Sequence, residues 1–496
     1  MFRRPSLSSL LQNLNLAKQY ERATTRLSDH ERFKGILAQG DVEGADRLVR
    51  VAMQNHRSIS EIVARMSRAA CGLYQAKSFQ DKNYDVMALA GALGGPKLQY
   101  AMAEALGLPA ISTTSSRSRL PSLEASIGFP RLSEYAHNLL VLHNAGLLHG
   151  TSSGSGQTRR RGWQAMIDEI ALEERPRYDS RRDAILGIAR ETSHEVDITT
   201  VTLETLHGAA DALNDGSLAL AKEATFVGLA AYGRDDYTVL PVMISGTNKT
   251  ERDHSQARWI QLAIDAWDAP IPDLNTTYEE QYGELWALGS DGDATRRRAL
   301  HYLLMSETLS PNDRLYDRLG MLPRMNLQCG QKARTMTIDF KHKFKNFASL
   351  LRGNSGPLVA DHHVTPTDLK RKFAALLDYS EKKITTLFNH KDHQNVPIAV
   401  QLLLSLKKLA LVEGFTNAVE NRPLALLGHF VGYLVEPFIT PTLSLSEQLT
   451  MLSAAAHLCC LLYRRNRTSF CPGQWYYDMQ TFIKNIFWTT AKMKLL

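Results

Sequence analysis

"GELWALGSDGDATRRRALHYLLM" (residues 283–305) decides the fold. "GELWALGSDGD" reads as a buried strand, and "ATRRRALHYLLM" directly behind it has the spacing of a helix. Where the two meet stand two aspartates, Asp291 and Asp293. Pro, Asn or a plain Gly turn would end a strand equally well, so the acidic pair needs a reason.

Working outward, "WQAMIDEIALEERPRYD" (163–179) alternates apolar and charged residues like a strand that turns back on itself, and "DAILGIAR" (183–190) continues it. "HGAADALNDGSLALAKEA" is helix-compatible. "TFVGLAAYG" and "YTVLPVMISG" form one long β run split by a turn, and "HSQARWIQLAIDAWDA" is an amphipathic helix. "RTMTIDFKHKFKNFASLLRG" (334–353) gives a short strand ending at Asp339 and then a helix. Strands alternating with helices predict an α/β layout, a sheet covered by helices.

The flanks differ in character. Residues 1–148 read as a helical N-terminal region, and "HGTSSGSGQTRRRG" supplies a flexible basic linker at 149–162. The α/β core is expected over 163–353. From residue 357 onward no strand is expected: 354–496 reads as an all-helical block, with several runs opening at a Pro or Ser cap.

Composition narrows the classes. With 496 residues, 44% hydrophobic and 22% charged, the chain is neither disordered nor fibrous. A net charge of +7 and a pI near 9.0 leave nucleic acid as a plausible partner. Five scattered cysteines without a CxxC spacing predict a reduced intracellular protein, nuclear or cytoplasmic and not secreted. "LTMLSAAAHLCCLLY" (449–463) falls short of the roughly 20 apolar residues of a membrane span and is expected to be a buried helix.

Asp168 lies in the first β run, Asp291 ends a later strand and Asp339 ends the last one. At the carboxyl ends of parallel neighbours, such residues converge on one cleft. Converging carboxylates repel unless a cation joins them, and oxygen-only ligands suit Mg²⁺ or Mn²⁺ and hence phosphoryl transfer. The competing reading is local: Ser290, Asp291 or Asp293 caps the following helix.

These segments resemble a family of transposon-encoded proteins of mushroom-forming fungi, distantly similar to P-element-type and THAP-type DNA transposases. The resemblance runs through "DVMALAGALGGPKLQYAMAEALGLPA" (85–110), "MIDEIALEERPRYDSRRDAILGIARE" (166–191), "LWALGSDGDATRRRALHYLL" (285–304), "TIDFKHKFKNFASLLRG" (337–353) and "PGQWYYDMQTFIKNIFWTTAKMK" (472–494). It implies an RNase H-like mixed sheet with a D, D, E set of metal ligands and a helical insertion before the last acid. Asp168 matches the first aspartate and Asp291 the second, with Asp293 as its rival. Asp339 and His342 match an Asp-x-x-His segment beside the site. The sequence stops at "AKMKLL" before a match to the final glutamate, and neither Glu436 nor Glu447 replaces it. The resemblance therefore implies a transposase-derived protein with an incomplete, inactive site, or else a non-catalytic fragment binding DNA, protein or sister copies.

Other features carry less. Arg159, Arg160 and Arg161 in the linker and Arg297 behind Asp293 are candidate DNA contacts. "GNSGPL" (353–358) lacks a P-loop pattern, so GTP is not expected and a helix stop is. "HLCC" is read as buried hydrophobe instead of zinc ligand. "WYYDMQTFIKNIFW" (475–488) is read as core or as a docking surface.

Overall fold

The computed structural model describes residues 123–148, 162–199, 202–233, 238–390 and 395–495 of one compact unit, Ser122–Leu496, and parts of a smaller one, Met1–Pro121. In the smaller unit the described residues include 57–70, 81–106 and 108–117. They carry helices α1 (Ile59–Ala70), α2 (Asp81–Leu106) and α3 (Ile111–Arg117). Helix α2 is kinked where Gly95, at φ +69°, precedes Pro96.

The larger unit opens with α4 (Leu132–Asn144), then β1 (Trp163–Ala171), β2 (Arg177–Asp179), β3 (Ala184–Leu186), α5 (Leu203–Asp215), β4 (Glu223–Ala231) and β5 (Leu240–Thr247). Next come α6 (Asp253–Asp268), α7 (Tyr278–Tyr282), β6 (Leu285–Ser290), α8 (Ala294–Leu304), β7 (Glu307–Thr308), α9 (Tyr316–Leu319), β8 (Gln328–Cys329), β9 (Thr335–Ile338) and α10 (Phe340–Arg352). After a two-residue hairpin, β10 (Leu358–Val359) and β11 (His362–His363), only helices follow: α11 (Pro366–Leu377), α12 (Glu381–Leu387), α13 (Val396–Ala410), α14 (Arg422–Ile439), α15 (Leu445–Asn466) and α16 (Gly473–Met493).

The main sheet has the order β5-β4-β1-β6-β9. Strand β4 is antiparallel to both β5 and β1, while β1, β6 and β9 run parallel. Trp163, Ala165 and Ile167 of β1 face a core with Trp259, Ile260 and Ala263 of α6 and Ala299 and Leu300 of α8. Every residue of β6 is buried, as expected of a strand paired on both edges and covered on both faces. A second core joins α10 to the helical block, with Phe344, Phe347, Leu406, Phe430 and Trp475 among its members.

Four sequence expectations change. Strand β1 does not fold back within 163–179: its two edges are taken by β4 and β6, and Arg177–Asp179 pairs with Ala184–Leu186 in a separate ribbon beyond the exposed Leu172–Pro176 stretch. A strand pair does occur after residue 357, closed by Ala360 and Asp361, both at positive φ. Helix α4, read from sequence with the N-terminal region, packs on the sheet unit, where the buried Tyr135 hydroxyl donates to the Trp259 carbonyl (2.8 Å). Helix α15, at 22 residues, belongs to a stretch long and apolar enough by composition to cross a bilayer. The expectation of a buried stretch too short to span a membrane is thus corrected on both counts: Leu452, Ala455, Cys459 and Leu462 pack in the second core, but only 22% of the apolar window is buried. The aromatic run 475–488 forms the buried face of α16.

Helix α16 also buries two lysines. Lys484 donates to the Gln328 carbonyl and Lys492 to that of Ala333 (2.8 Å). Burial pushes both ammonium groups down to about 8. A lysine held below its unfolded value binds fewer protons folded than unfolded between those values, so its contribution to stability rises as pH climbs from about 8 toward 10. Urea unfolding of the wild type and of a Lys484→Met/Lys492→Met variant at pH 8.0 and 9.5 should show the wild type gaining relative to the variant, with a limit of about 1.4 kcal/mol per pH unit per lysine.

Candidate functional site at the carboxyl ends of the parallel strands

The last ladder rung of the three parallel strands aligns Ile167 with Ser290 and Ser290 with Ile338. One residue further along each strand stands an aspartate: Asp168, Asp291 and Asp339. The ladder reaches this level between the last two strands, because the Asp339 amide donates to the Ser290 carbonyl (2.9 Å). Three carboxylates read separately from the sequence thus occupy one level at the sheet's carboxyl end, where helices α8 and α10 begin.

Their local roles differ. Asp168 is exposed on β1, and its Oδ1 accepts from the Glu169 amide (2.9 Å). Asp291 Oδ1 accepts from the Asp293 amide (3.0 Å), which shapes the turn out of β6. Asp293 is the N-cap of α8, accepting from the amides of Thr295 and Arg296 (2.9 Å each). Asp339 is the N-cap of α10; it accepts from the Lys341 amide (2.9 Å) and pairs with His342 Nδ1 (2.7 Å). Burial pushes the Asp339 carboxyl up, but the His342 and Lys341 hydrogen bonds outweigh it and hold the group below the usual carboxylate range. The capping reading therefore holds for Asp293 and Asp339.

A cavity of about 650 Å³ opens at this end of the sheet. Asp291, Asp293, Arg297 and His342 line it, while Asp168 and Asp339 do not. Sequence reasoning missed most of its remaining charge. Five basic side chains line it (Arg190, Lys249, Arg296, Arg297 and Lys343) and five acidic ones (Glu169, Glu251, Asp291, Asp293 and Asp478), so their formal charges cancel. Arg190 and Arg296 both lie over the buried Trp259 ring, at 5.2 and 5.1 Å. Arg190 pairs with Glu251 (2.8 Å) and Arg296 with Glu169. The Lys249 ammonium is favoured first by its hydrogen bond to Glu223, and also by the charges of Glu169 and Asp291.

Asp478 is the least anticipated member. It sits on α16, fully buried, and accepts from Arg297 Nε (2.6 Å), Arg297 Nη2 (2.7 Å) and Lys343 Nζ (2.7 Å). Burial alone would lower the Arg297 pKa, but the Asp478 carboxylate raises it beyond its ordinary value. The guanidinium expected to face DNA is instead spent on Asp478 and on the Gly292 carbonyl. Its neighbour Arg298 is the exposed one, paired with Asp253 (2.7 Å). Arg159, Arg160 and Arg161 lie outside the described residues. Glu436 pairs with Lys407 inside the helical block and Glu447 accepts from the amide of Ser444, the N-cap of α15, so both are engaged within that block.

The donor set suits a hard divalent cation only as a pair. Asp168 and Asp291 offer carboxylate oxygen at one level of adjacent parallel strands, each with Oδ1 tied to a backbone amide. Among the described residues, no group of three or more His, Cys, Asp or Glu side chains is arranged to hold a metal ion.

No protein-family model matches this chain, and no curated protein matches it. Among solved structures, the Drosophila P element transposase strand transfer complex aligns with 12% identity and a TM-score of 0.46, over 87% of this chain and 83% of that one. A likeness this remote assigns neither fold nor chemistry.

The buried cluster and the exposed rung should respond differently to mutation. Asp478→Ala leaves two buried cations without a counter-charge and should cost about 3–5 kcal/mol of unfolding free energy. Asp168→Ala should stay within about 0.5 kcal/mol of wild type, both read from urea denaturation followed by circular dichroism.

Proposed function

We propose that this chain is transposase-derived, with an RNase H-like sheet whose ancestral task was two-metal phosphoryl transfer on DNA, and that it now binds DNA without cutting it. The observation carrying this reading is that Asp168, Asp291 and Asp339 stand at one level across three neighbouring parallel strands, Asp291 and Asp339 just past the ends of β6 and β9 and Asp168 where the parallel ladder of β1 to β6 stops, although β1 itself runs on to Ala171. The strand order β5-β4-β1-β6-β9, with β4 alone reversed relative to its neighbours, sets β1 and β6, the first and fourth sheet strands in chain order, side by side and parallel, so that Asp168 and Asp291 fall at one level.

Mg²⁺ or Mn²⁺ held by Asp168 and Asp291 would supply a Lewis acid for a phosphoryl oxygen and an activated hydroxyl. What the chain's own residues do is narrower. The Glu169 and Asp293 amides orient the two carboxylates, and the Asp339–His342 pair fixes the imidazole at the cavity wall. Asp293 and Asp339 are committed as helix caps, and a cation held by the remaining two carboxylates, Asp168 and Asp291, is held more loosely than by three, with a lower transfer rate. The net charge of +7 supports an electrostatic hold on the phosphate backbone.

Fluorescence anisotropy with a labelled duplex should give binding whose log affinity falls linearly with log salt concentration. The same mixtures with Mg²⁺ or Mn²⁺ should show no strand nicking on a denaturing gel. Nicking that needs the metal and disappears in Asp168→Ala would overturn the inactive assignment, and binding absent at low salt would overturn the DNA assignment.

A further inference from the structure

The loop that carries Asp291 is held from the far end of the chain. Arg297 Nη2, already paired with Asp478, also donates to the Gly292 carbonyl. Gly292 has φ +94°, and a Cβ there would lie 2.7 Å from Lys343 Nζ and 3.1 Å from Asp478 Oδ2, so the loop is pressed directly on the buried ion cluster. Asp293, one residue on, donates its amide to Asp291 and caps α8. The connection runs from Asp478 through Arg297 to Gly292 and from there to the Asp291 carboxylate.

We propose that Asp478 is a positioning residue for Asp291, holding the 290–293 loop so that its carboxylate stays level with Asp168. The inference rests on the metal-site reading given above. Three observations carry it. Asp478 is fully buried, and both its oxygens are engaged by cations from two different helices, Arg297 of α8 and Lys343 of α10. The Arg297 fork spends one nitrogen on both the carboxylate and the loop carbonyl, so moving one moves the other. The loop itself has a glycine at a left-handed φ, where a side chain would strike Lys343 and Asp478, so its backbone lies directly against the cluster. A structural salt bridge alone would not need to touch the loop backbone.

Two variants of the full chain separate the roles. Asp478→Asn removes the charge at constant shape. Arg297→Lys keeps an ammonium beside Asp478 but loses the fork that reaches Gly292. Hydrogen exchange of the peptide spanning 290–294, read by mass spectrometry, should accelerate roughly tenfold or more in Arg297→Lys, the size expected for one charge-assisted hydrogen bond. Mn²⁺ titration should show affinity falling about tenfold in the same variant, as for other groups that orient a metal ligand. Arg298→Ala, exposed and outside the cluster, should change neither. Loop exchange unchanged in both Arg297→Lys and Asp478→Asn would overturn the positioning role, whatever the metal does. Faster loop exchange in a protein whose wild type shows no Mn²⁺ binding sensitive to Asp291→Ala would sink the metal-site reading, and the positioning role with it. Should Asp478→Asn fail to fold, Arg297→Lys decides the question alone.

Discussion

Strand β1 is hydrogen-bonded along both edges, antiparallel to β4 and parallel to β6, and much of the larger unit follows from that double pairing. A strand with both edges occupied cannot also close a hairpin with the segment that follows it. Residues 172–176 are therefore turned out into solvent and the 177–186 segment pairs with itself. Because side chains alternate across a strand, the same pairing commits Trp163, Ala165 and Ile167 to the core under α6 and α8. A slip of one residue would bury Met166 and Asp168 instead, and the buried aspartate would have no partner on the apolar side.

The parallel part of the sheet has a second consequence. Parallel neighbours need a crossover between them, so β1, β6 and β9 leave the sheet at the same end, β1 into the β2–β3 ribbon and the other two into helices. Strands β6 and β9 do so at once, through Asp293 and Asp339 as caps. Acidic side chains collect at that end for two independent reasons, helix capping and proximity across strands. The two reasons are not exclusive. Asp293 and Asp339 serve as caps, whereas among the described residues Asp168 and Asp291 each accept a single nearby amide on Oδ1 and cap no helix. This division separates the two helix caps from Asp291, whose local role is the turn out of β6, and from the exposed Asp168.

Charge in the cavity is organised by burial. Arg190, Arg296 and Lys343 are each nearly excluded from water, and each has a carboxylate at hydrogen-bonding distance, as a buried cation requires. Asp478 does the same work for Arg297 and Lys343 from a helix of the C-terminal block. The sheet and the helical block are consequently joined by an ion cluster as well as by the apolar packing of Phe344, Phe347 and Trp475.

The sequence by itself determined the alternation of strands and helices from Trp163 to Arg352, placed two strand ends at Asp291 and Asp339, one residue beyond where β6 and β9 close, and gave the helical character of most of 354–496, because hydrophobic periodicity and Pro, Ser and Asp caps are local signals. It also singled out Asp168, inside an apolar run, and Asp291 and Asp339, at the ends of two others, since an acid in such a place stands out in one dimension. It did not reveal which edges β1 would offer, that α4 packs on the sheet, or that Arg297 would turn inward. It gave no sign that Asp478, inside an aromatic run and 181 residues from Arg297, belongs to the same cavity. Those features depend on which distant segments meet, and a buried charge declares its partner only when the chain has brought the two together.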